Sequence, residues 1–415
     1  MKLKSLLTTE NKQKLVNLIL NVGATLIFNC VLQFLCYPMF EKKLGTELNG
    51  VVLTLISVVA VTAGSLGAAS NYSRLVKENV DHPSNGDYNV ILLIGGILVS
   101  IVGIVYLWIK DLLSPTSAIF FSLLLFFTVL RYYSDVEFKI KTNFLRYFIF
   151  YLFISVGYVL GIILFNLTNI YWAIAILTGE VLGVIYAVFA SDIFRKNLKI
   201  SKNFKIVLSS VSILLLSSLL ENLTLNADRL ILLSLTSGTA VSHYYVASLF
   251  GKVIALLTVP INSLIISYLI RYNGELSKKM WTIFVVASTV LGAICLVGCL
   301  VGSIWILPLL YDWFAVVKPI LVPAILAQVL FFLSSVLLVV LLRFFGEKKQ
   351  FTLNLIYGII FFVACIIFTK LYGLNGFVYT SLFVNALRFL IVVIFGFIAK
   401  PKKLTPSTSE QKTVE

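Results

Sequence analysis

The sequence has little of what a soluble enzyme needs. Only 12% of its 415 residues are charged, and it contains two histidines, His82 and His243. Two histidines exclude a metal centre built on histidine ligands, and there is no Gly-rich phosphate loop, GxSxG turn or HExxH helix. The five cysteines lie in apolar runs without a CxxC pair, which is typical of packing residues. We therefore expect neither a soluble catalytic site nor a cofactor.

Long apolar runs occupy most of the chain instead. Hydrophobic residues make up 60% of it, and the mean hydropathy is +1.01. A helix of about 20 apolar residues crosses a hydrocarbon core about 30 Å thick. Such runs predict spans near residues 15–37, 50–70, 90–109, 116–133, 148–166, 169–190, 206–228, 241–269, 281–304, 319–341, 351–369 and 376–398. The first run lacks a small-residue cleavage site, so we interpret it as an uncleaved helix.

The resulting fold class is an all-α polytopic membrane protein. About twelve transmembrane helices would form two six-helix lobes around a central cavity. We place the lobes at residues 1–200 and 201–400, followed by a disordered cytoplasmic tail over residues 401–415. The lobes meet at the most basic connection, SDIFRKNLKISKNFK (191–205). Because each half would start on the same side of the membrane, the halves resemble parallel repeats.

Basic residues distinguish the two sides of the membrane. Most of the 33 Lys and Arg residues fall in connections that share a side with the N-terminus. The positive-inside rule then predicts that both termini are cytoplasmic. The same bias accounts for most of the net charge of +15, so no nucleic-acid partner is expected. The connections on the other side are short and leave no room for an external catalytic domain.

Ionisable side chains interrupt span 7. At 100° per residue, Ser210, Ser217, Glu221, Thr224 and Asp228 fall within about 40° of one line along the helix. A charge at a span centre costs about 2.5 to 3.5 kcal/mol on insertion scales, against a gain of about 0.3 to 0.6 kcal/mol per Leu or Ile. The stripe is therefore predicted to face protein or a hydrated cavity.

Four other spans carry polar faces at helical spacing. These are Asn21, Thr25, Asn29 and Gln33 in span 1; Gly64, Gly67, Asn71 and Arg74 in span 2; Tyr245, Ser248 and Lys252 in span 8; and Ser381, Asn385 and Arg388 in span 12. They would converge on a shared cavity if the two halves pack side by side. A structural interpretation stays open, since Ser, Thr and Asn also bond between helices. Glu180 in span 6 could likewise pair with Arg388 or Lys252 for packing alone.

Two stretches resemble oligosaccharide flippases of the Wzx type. The loop YPMFEKKLGTELNG (37–50) is similar to the one after the first helix of that family, and NADRLILLSLTSGTAVSHYYVASLFGKVIALLTVPI (226–261) is similar to its seventh and eighth helices. Two features differ: Lys43 stands where the family more often has Arg, and the chain has no room for the additional C-terminal spans of many relatives. The family belongs to the multidrug/oligosaccharidyl-lipid/polysaccharide exporter (MOP) superfamily.

The resemblance implies a function and a setting. The chain would be a V-shaped transporter of a bacterial cytoplasmic membrane, with spans 1, 2, 7 and 8 lining its cavity. It would move an undecaprenyl-pyrophosphate-linked oligosaccharide between leaflets by alternating access, for capsule, O-antigen or exopolysaccharide assembly. Its partners would be membrane lipids, a polysaccharide polymerase and a chain-length regulator.

Roles for the polar residues follow from that cargo. An anionic pyrophosphate needs cations and a sugar needs amides or hydroxyls. The candidate cations are Arg74, Lys252 and Arg388, and the candidate sugar ligands are Asn21, Asn29, Tyr245 and Asn385. The resemblance implies that Glu180, Glu221 and Asp228 bind a coupling H⁺ or Na⁺.

Other functions stay open. A drug or metabolite antiporter of the same superfamily is the nearest alternative, and a membrane-embedded polysaccharide polymerase or glycosyltransferase is the alternative from another class. The short external loops argue against a polymerase. Asp135 and Glu137, in RYYSDVEFKIK, could suggest a metal site, but the four bases around them favour a solvated ion-pair network.

Overall fold

The computed structural model describes residues 9–78, 81–256, 262, 265, 276–345 and 347–398. All regular secondary structure in these ranges is helical, which confirms the predicted all-α class. The helices of the first half are α1 (Thr9–Cys30), α2 (Tyr37–Leu44), α3 (Thr46–Val59), α4 (Ser65–Lys77), α5 (Asn85–Ile109), α6 (Pro115–Ser134), α7 (Val136–Ile140), α8 (Phe144–Leu167) and α9 (Trp172–Ala190). Those of the second half are α10 (Phe204–Leu235), α11 (Gly238–Leu256), α12 (Lys278–Leu310), α13 (Phe314–Phe345) and α14 (Glu347–Ile398).

The first two spans are each interrupted by a π-helical turn. Val31–Cys36 joins α1 to α2, and Ala60–Gly64 joins α3 to α4. A π turn inserts one extra residue into the helix, and the composite stretches Ile19–Leu44 and Thr46–Lys77 are each long and apolar enough to cross a membrane. Such insertions concentrate at functional sites, and both lie in spans predicted to line the cavity.

The described helices match the predicted spans closely. Among the described residues, ten helical stretches are long and apolar enough to cross a membrane. One of these, within α14, is divided by a non-helical residue, Gly373, at φ 59°. Asn354 contacts Arg388 and Tyr357 contacts Asn385 across that break, so the two halves run antiparallel as predicted spans 11 and 12. Predicted span 8 corresponds to α11, and part of it lies outside the described residues.

The chain forms two compact units that divide between Leu230 and Ile231. Most of α10 therefore belongs with α1 to α9, although the sequence placed the lobe boundary near residue 200, and the lobe assignment itself stays a prediction. The basic linker at 191–205 is bound to the start of α5. The Asn85 amide donates to the carbonyls of Asp192 (3.2 Å) and Lys196 (2.7 Å). Gly86 is required there because a Cβ would lie 2.3 Å from the Leu198 carbonyl oxygen.

Close packing of α8 on α9 depends on small residues. A Cβ at Gly157 would lie 2.5 Å from the Gly179 Cα, and one at Gly161 would lie 2.2 Å from the Ala175 carbonyl oxygen. Lipid tails are as apolar as leucine, so helices in a membrane associate through close backbone approach rather than hydrophobic burial. These glycines bring α9, and with it Glu180, against its neighbours.

Candidate functional site

Arg74 lies at the end of α4 and is held locally. Its guanidinium pairs with Glu78, one turn later, and Nη1 donates to the Pro83 carbonyl at 3.0 Å. The charge also lies 5.4 Å from the centroid of the Tyr88 ring. These contacts close the connection between α4 and α5, so the side chain predicted to bind phosphate is already neutralised by an acid.

A buried acid organises the end of α6. Asp135 accepts from Asn71 (2.6 Å) and Tyr151 (3.0 Å) and pairs with Lys139 (2.8 Å). Glu137 pairs with Lys141 and accepts from the Asp192 backbone amide. The predicted ion pairs are confirmed, but the expectation that they are solvated was wrong, because Asp135 is only 3% exposed. The network joins α4, α6, α7, α8 and the start of the linker.

Glu180 forms a buried ion pair with a residue that the sequence did not single out. Its Oε2 lies 2.8 Å from the Arg131 Nε, and its Oε1 accepts from the Tyr158 hydroxyl at 2.5 Å. Arg131 also lies 3.8 Å from the centroid of the Tyr132 ring. The partner is therefore Arg131 rather than Arg388 or Lys252. The only sequence signal for this pair was a base in the last turn of an otherwise apolar span.

Some polar residues of the α10 stripe are packed against other helices, and others are exposed. Ser73 donates to Ser210 at 3.0 Å, which joins α10 to α4. Glu221 is exposed and has no ion-pair partner among the described residues, whereas Asp228 is buried. Next to Asp228, Arg229 donates to the Ser57 hydroxyl at 3.1 Å and joins α10 to α3. The two acids predicted on one stripe therefore have different environments.

The polar row of the first span bonds mostly to its own helix. The Asn29 amide donates to the Thr25 carbonyl at 2.8 Å, and the Thr25 hydroxyl donates to the Val22 carbonyl at 3.0 Å. Asn21 and Asn29 are both half-buried.

Lys43, which differs from the flippase pattern, donates to the carbonyls of Phe165 and Thr168 at the end of α8. A cation there complements the negative end of the helix dipole.

Lys252 lies on α11 among aromatic side chains. Its Nζ is 5.9 Å from the centroid of the Tyr244 ring and 6.0 Å from that of Tyr245, and both rings are buried. The Tyr244 hydroxyl is 3.5 Å from the Gln328 amide nitrogen of α13. The spacing predicted one face for Tyr245 and Lys252, and the structure places them as neighbours.

Arg388 and Asn385 form a second cluster, between the halves of α14. Asn385 accepts from the Tyr357 hydroxyl at 3.0 Å, and Arg388 Nη2 donates to the Asn354 Oδ1 at 3.2 Å. The guanidinium carbon lies 4.4 Å from the ring centroids of both Phe331 and Tyr357. Arg388 Nε and Nη1 have no hydrogen-bond partner among the described residues. Asn385 is thus bound within the protein, and Arg388 keeps unused donors.

Acids and bases are distributed unevenly between the two units. The acids predicted to act in coupling, Glu180, Glu221 and Asp228, all precede residue 231. The predicted spans after that residue contain two bases, Lys252 and Arg388, and no Asp or Glu. In the part of the chain that the structure describes, no three His, Cys, Asp or Glu side chains are grouped to hold a metal ion.

Similarity to known proteins is structural. No family model and no curated protein matches the sequence. An inward-facing multidrug resistance MATE family transporter of the MOP superfamily matches with a TM-score of 0.65 at 12% identity, over 92% of this chain and 94% of that one. The lipid II flippase MurJ, in an inward closed conformation, matches with a TM-score of 0.67 at 14% identity, over 92% and 88%. The Vibrio cholerae MATE transporter VcmN in its bent form matches with a TM-score of 0.59 at 15% identity, over 93% and 96%.

These likenesses cover nearly the whole length of each protein. At sequence identities of 12% to 15% they show a shared fold and nothing more. The neighbours are MATE transporters and a lipid II flippase. The chain is therefore a multi-pass membrane protein with the fold of the MOP-superfamily transporters.

Proposed function

We propose that the protein is a flippase for an anionic lipid-linked oligosaccharide, of the undecaprenyl-pyrophosphate class. The observation that carries this proposal is the presence of two bases, Lys252 and Arg388, in the apolar predicted spans of the second unit. An intramembrane charge is costly and is retained where it meets a ligand or an opposite charge. Two bases in apolar spans favour an anionic ligand, and the fold likeness to a lipid II flippase is consistent with such a cargo.

Lys252 is the principal contact for the pyrophosphate in this proposal. Its ammonium is half-buried beside two tyrosine rings, which leave it partly desolvated and therefore strengthen its attraction for an anion. Arg74 contributes to folding rather than to binding, because Glu78 already neutralises it. Asn21, Asn29 and the hydroxyl of Tyr245 are proposed contacts for the saccharide.

Coupling to a cation gradient is assigned to α10. Glu180 is a poor coupling group, since both of its carboxylate oxygens are already bound, one by Arg131 and the other by Tyr158. Glu221 is exposed, and Asp228 lies two turns further along the same stripe. We therefore propose that Glu221 and Asp228 take up the coupling H⁺ or Na⁺.

A multidrug antiporter is the second candidate function. The MATE neighbours favour it, as do the two acids on α10, which could bind a cationic drug. The two functions differ in the charge of the cargo, so a single purified preparation can be tested for both.

The test uses the full chain in proteoliposomes. A fluorescent undecaprenyl-pyrophosphate saccharide reports flipping through its protection from an impermeant quencher, and ethidium uptake reports drug transport. We expect Lys252→Gln to slow flipping by about ten- to hundred-fold, because losing one hydrogen bond to a charged group has an effect of that size. Lys318→Gln, which removes an exposed base from α13, is the matched control. Glu221→Gln should abolish the response to an imposed gradient.

The outcomes separate the candidates. Gradient-driven ethidium transport without saccharide flipping would replace the flippase by the antiporter. Flipping at the wild-type rate in Lys252→Gln would remove the pyrophosphate contact from α11. An unchanged gradient response in Glu221→Gln would leave Asp228 as the coupling group to test.

A further inference from the structure

A cavity of about 160 Å³ lies in the second unit, between α13 and the two halves of α14. Its walls are apolar, with Leu338, Leu353 and Val384 among the side chains that line it. Ile356 and Ile391 line it as well, and both are substantially exposed, so the cavity opens at the protein surface. None of the lining residues is an Asp or Glu.

Arg388 supplies a single charge to this cavity. The residue is only 8% exposed. Nη2 donates to Asn354, but Nε and Nη1, which carry three of the five N–H groups of the guanidinium, have no partner among the described residues. A buried guanidinium with one hydrogen bond and no ion pair among the described residues is strongly unfavourable, so this site is incomplete without a ligand.

Two aromatic rings hold the guanidinium of Arg388 in place. The ring centroids of Phe331 and Tyr357 are 6.1 Å apart, and each is 4.4 Å from the guanidinium carbon. That separation is too short for the rings to cover opposite faces of the guanidinium. They form a corner instead, and Tyr357 is oriented by its hydrogen bond to Asn385. The rings therefore leave part of the guanidinium uncovered by aromatic side chains, and Arg388 lines the cavity.

We propose that this cavity is a binding site for a phosphate-bearing lipid, with the phosphate on Arg388 and part of the hydrocarbon chain in the apolar cavity. Guanidinium groups match phosphate oxygens in geometry and charge. Water could bind the unused donors of Arg388 but would leave the apolar walls without a matching surface. A free anion would satisfy Arg388 but leave the apolar walls uncovered.

The depth of the site suits a lipid headgroup. Asn354, which bonds Arg388, lies seven residues after the start of α14, roughly 10 Å along the helix. That end of α14 is the one predicted to be cytoplasmic, and it carries Lys348 and Lys349. A phosphate drawn slightly below the headgroup layer would reach Arg388. The site stands whether or not the protein flips a saccharide, since either a bilayer phospholipid or a polyprenyl phosphate has the required chemistry.

Native mass spectrometry of the purified full-length protein tests the site. The probes are dioleoylphosphatidylglycerol, undecaprenyl phosphate and dioleoylglycerol, which lacks a phosphate, with inorganic phosphate as a competitor. We expect both phosphate-bearing lipids to bind about ten- to hundred-fold more tightly than dioleoylglycerol. Arg388→Gln should lose that preference. Lys349→Gln, which removes an exposed base from the same end of α14, should keep it.

A second variant protects the test against misfolding. Leu353→Trp keeps Arg388 and fills the cavity, so it should weaken binding of both phosphate-bearing lipids. Wild-type affinity in either Arg388→Gln or Leu353→Trp would overturn the proposal, as would equal binding of dioleoylglycerol or complete displacement by inorganic phosphate. Tighter binding of undecaprenyl phosphate would identify the lipid as cargo, and tighter binding of phosphatidylglycerol would identify it as a resident lipid. Flipping is scored separately, so a failed flippase assay leaves this result unaffected.

Discussion

Replacing Glu180 by Gln removes the negative charge from the buried ion pair that Glu180 of α9 forms with Arg131 of α6. The substitution keeps the side-chain oxygen that accepts the hydrogen bond from Tyr158. The two paired side chains are only 6% and 3% exposed. Removing one partner of a buried ion pair costs about 3 to 5 kcal/mol, because the other charge stays buried. Arg131 keeps its contact with the Tyr132 ring, and cation–π contacts of this kind contribute about 0.5 to 2 kcal/mol. We therefore expect a destabilisation of about 3 kcal/mol, at the lower end of that range.

The double variant Arg131→Met, Glu180→Gln provides the matched comparison. It removes both charges and preserves the hydrogen bond to Tyr158, so its stability should return to within about 1 kcal/mol of the wild type. The assay is reversible unfolding in mixed micelles, followed by tryptophan fluorescence and far-UV circular dichroism. A single variant as stable as the wild type, or a double variant no better than the single one, would refute the reasoning.

The same double variant separates structure from coupling. If Glu180 only holds α9 to α6 and α8, the double variant should fold and still respond to an imposed cation gradient in proteoliposomes. A folded double variant that has lost this response would assign Glu180 to coupling, as the sequence first suggested.

Two further predictions concern the packing of α8 on α9 and the attachment of the linker to α5. Gly157→Ala would place a methyl group 2.5 Å from the backbone of α9 and should lower the free energy of unfolding by about 1 to 3 kcal/mol. Gly298→Ala, where a Cβ meets nothing within 4 Å, is the control and should change the free energy of unfolding by less than about 1 kcal/mol. Equal effects of the two substitutions would contradict the tight crossing of α8 and α9. Asn85→Ala removes the hydrogen bonds from the Asn85 amide to the linker carbonyls of Asp192 and Lys196, so trypsin should cut detergent-solubilised protein after Lys196 faster than in the wild type. Asn166→Ala, a substitution remote from the linker, is the control, and equal cleavage rates in all three proteins would refute a fixed linker.

The sequence by itself determined the class of the protein and the outline of its spans. Hydropathy identifies membrane helices because a segment that crosses hydrocarbon must be mostly apolar, whatever lies beside it. Helical periodicity also placed Tyr245 beside Lys252, and Ser381 with Asn385, since residues on one helix keep fixed angular positions.

Only the tertiary structure decided which charges meet. Glu180 pairs with Arg131, 49 residues away, and Asp135 is buried among Asn71, Tyr151 and Lys139. Hydropathy cannot choose between neighbours, because lipid and a second helix are almost equally apolar. Close approaches such as that of Gly157 to α9 select the contacts, and they depend on shape between elements distant in sequence. For the same reason, the sequence shows only that Arg388 lies in an apolar span. The packing of the helices shows that its side chain is buried and that its Nε and Nη1 have no hydrogen-bond partner among the described residues.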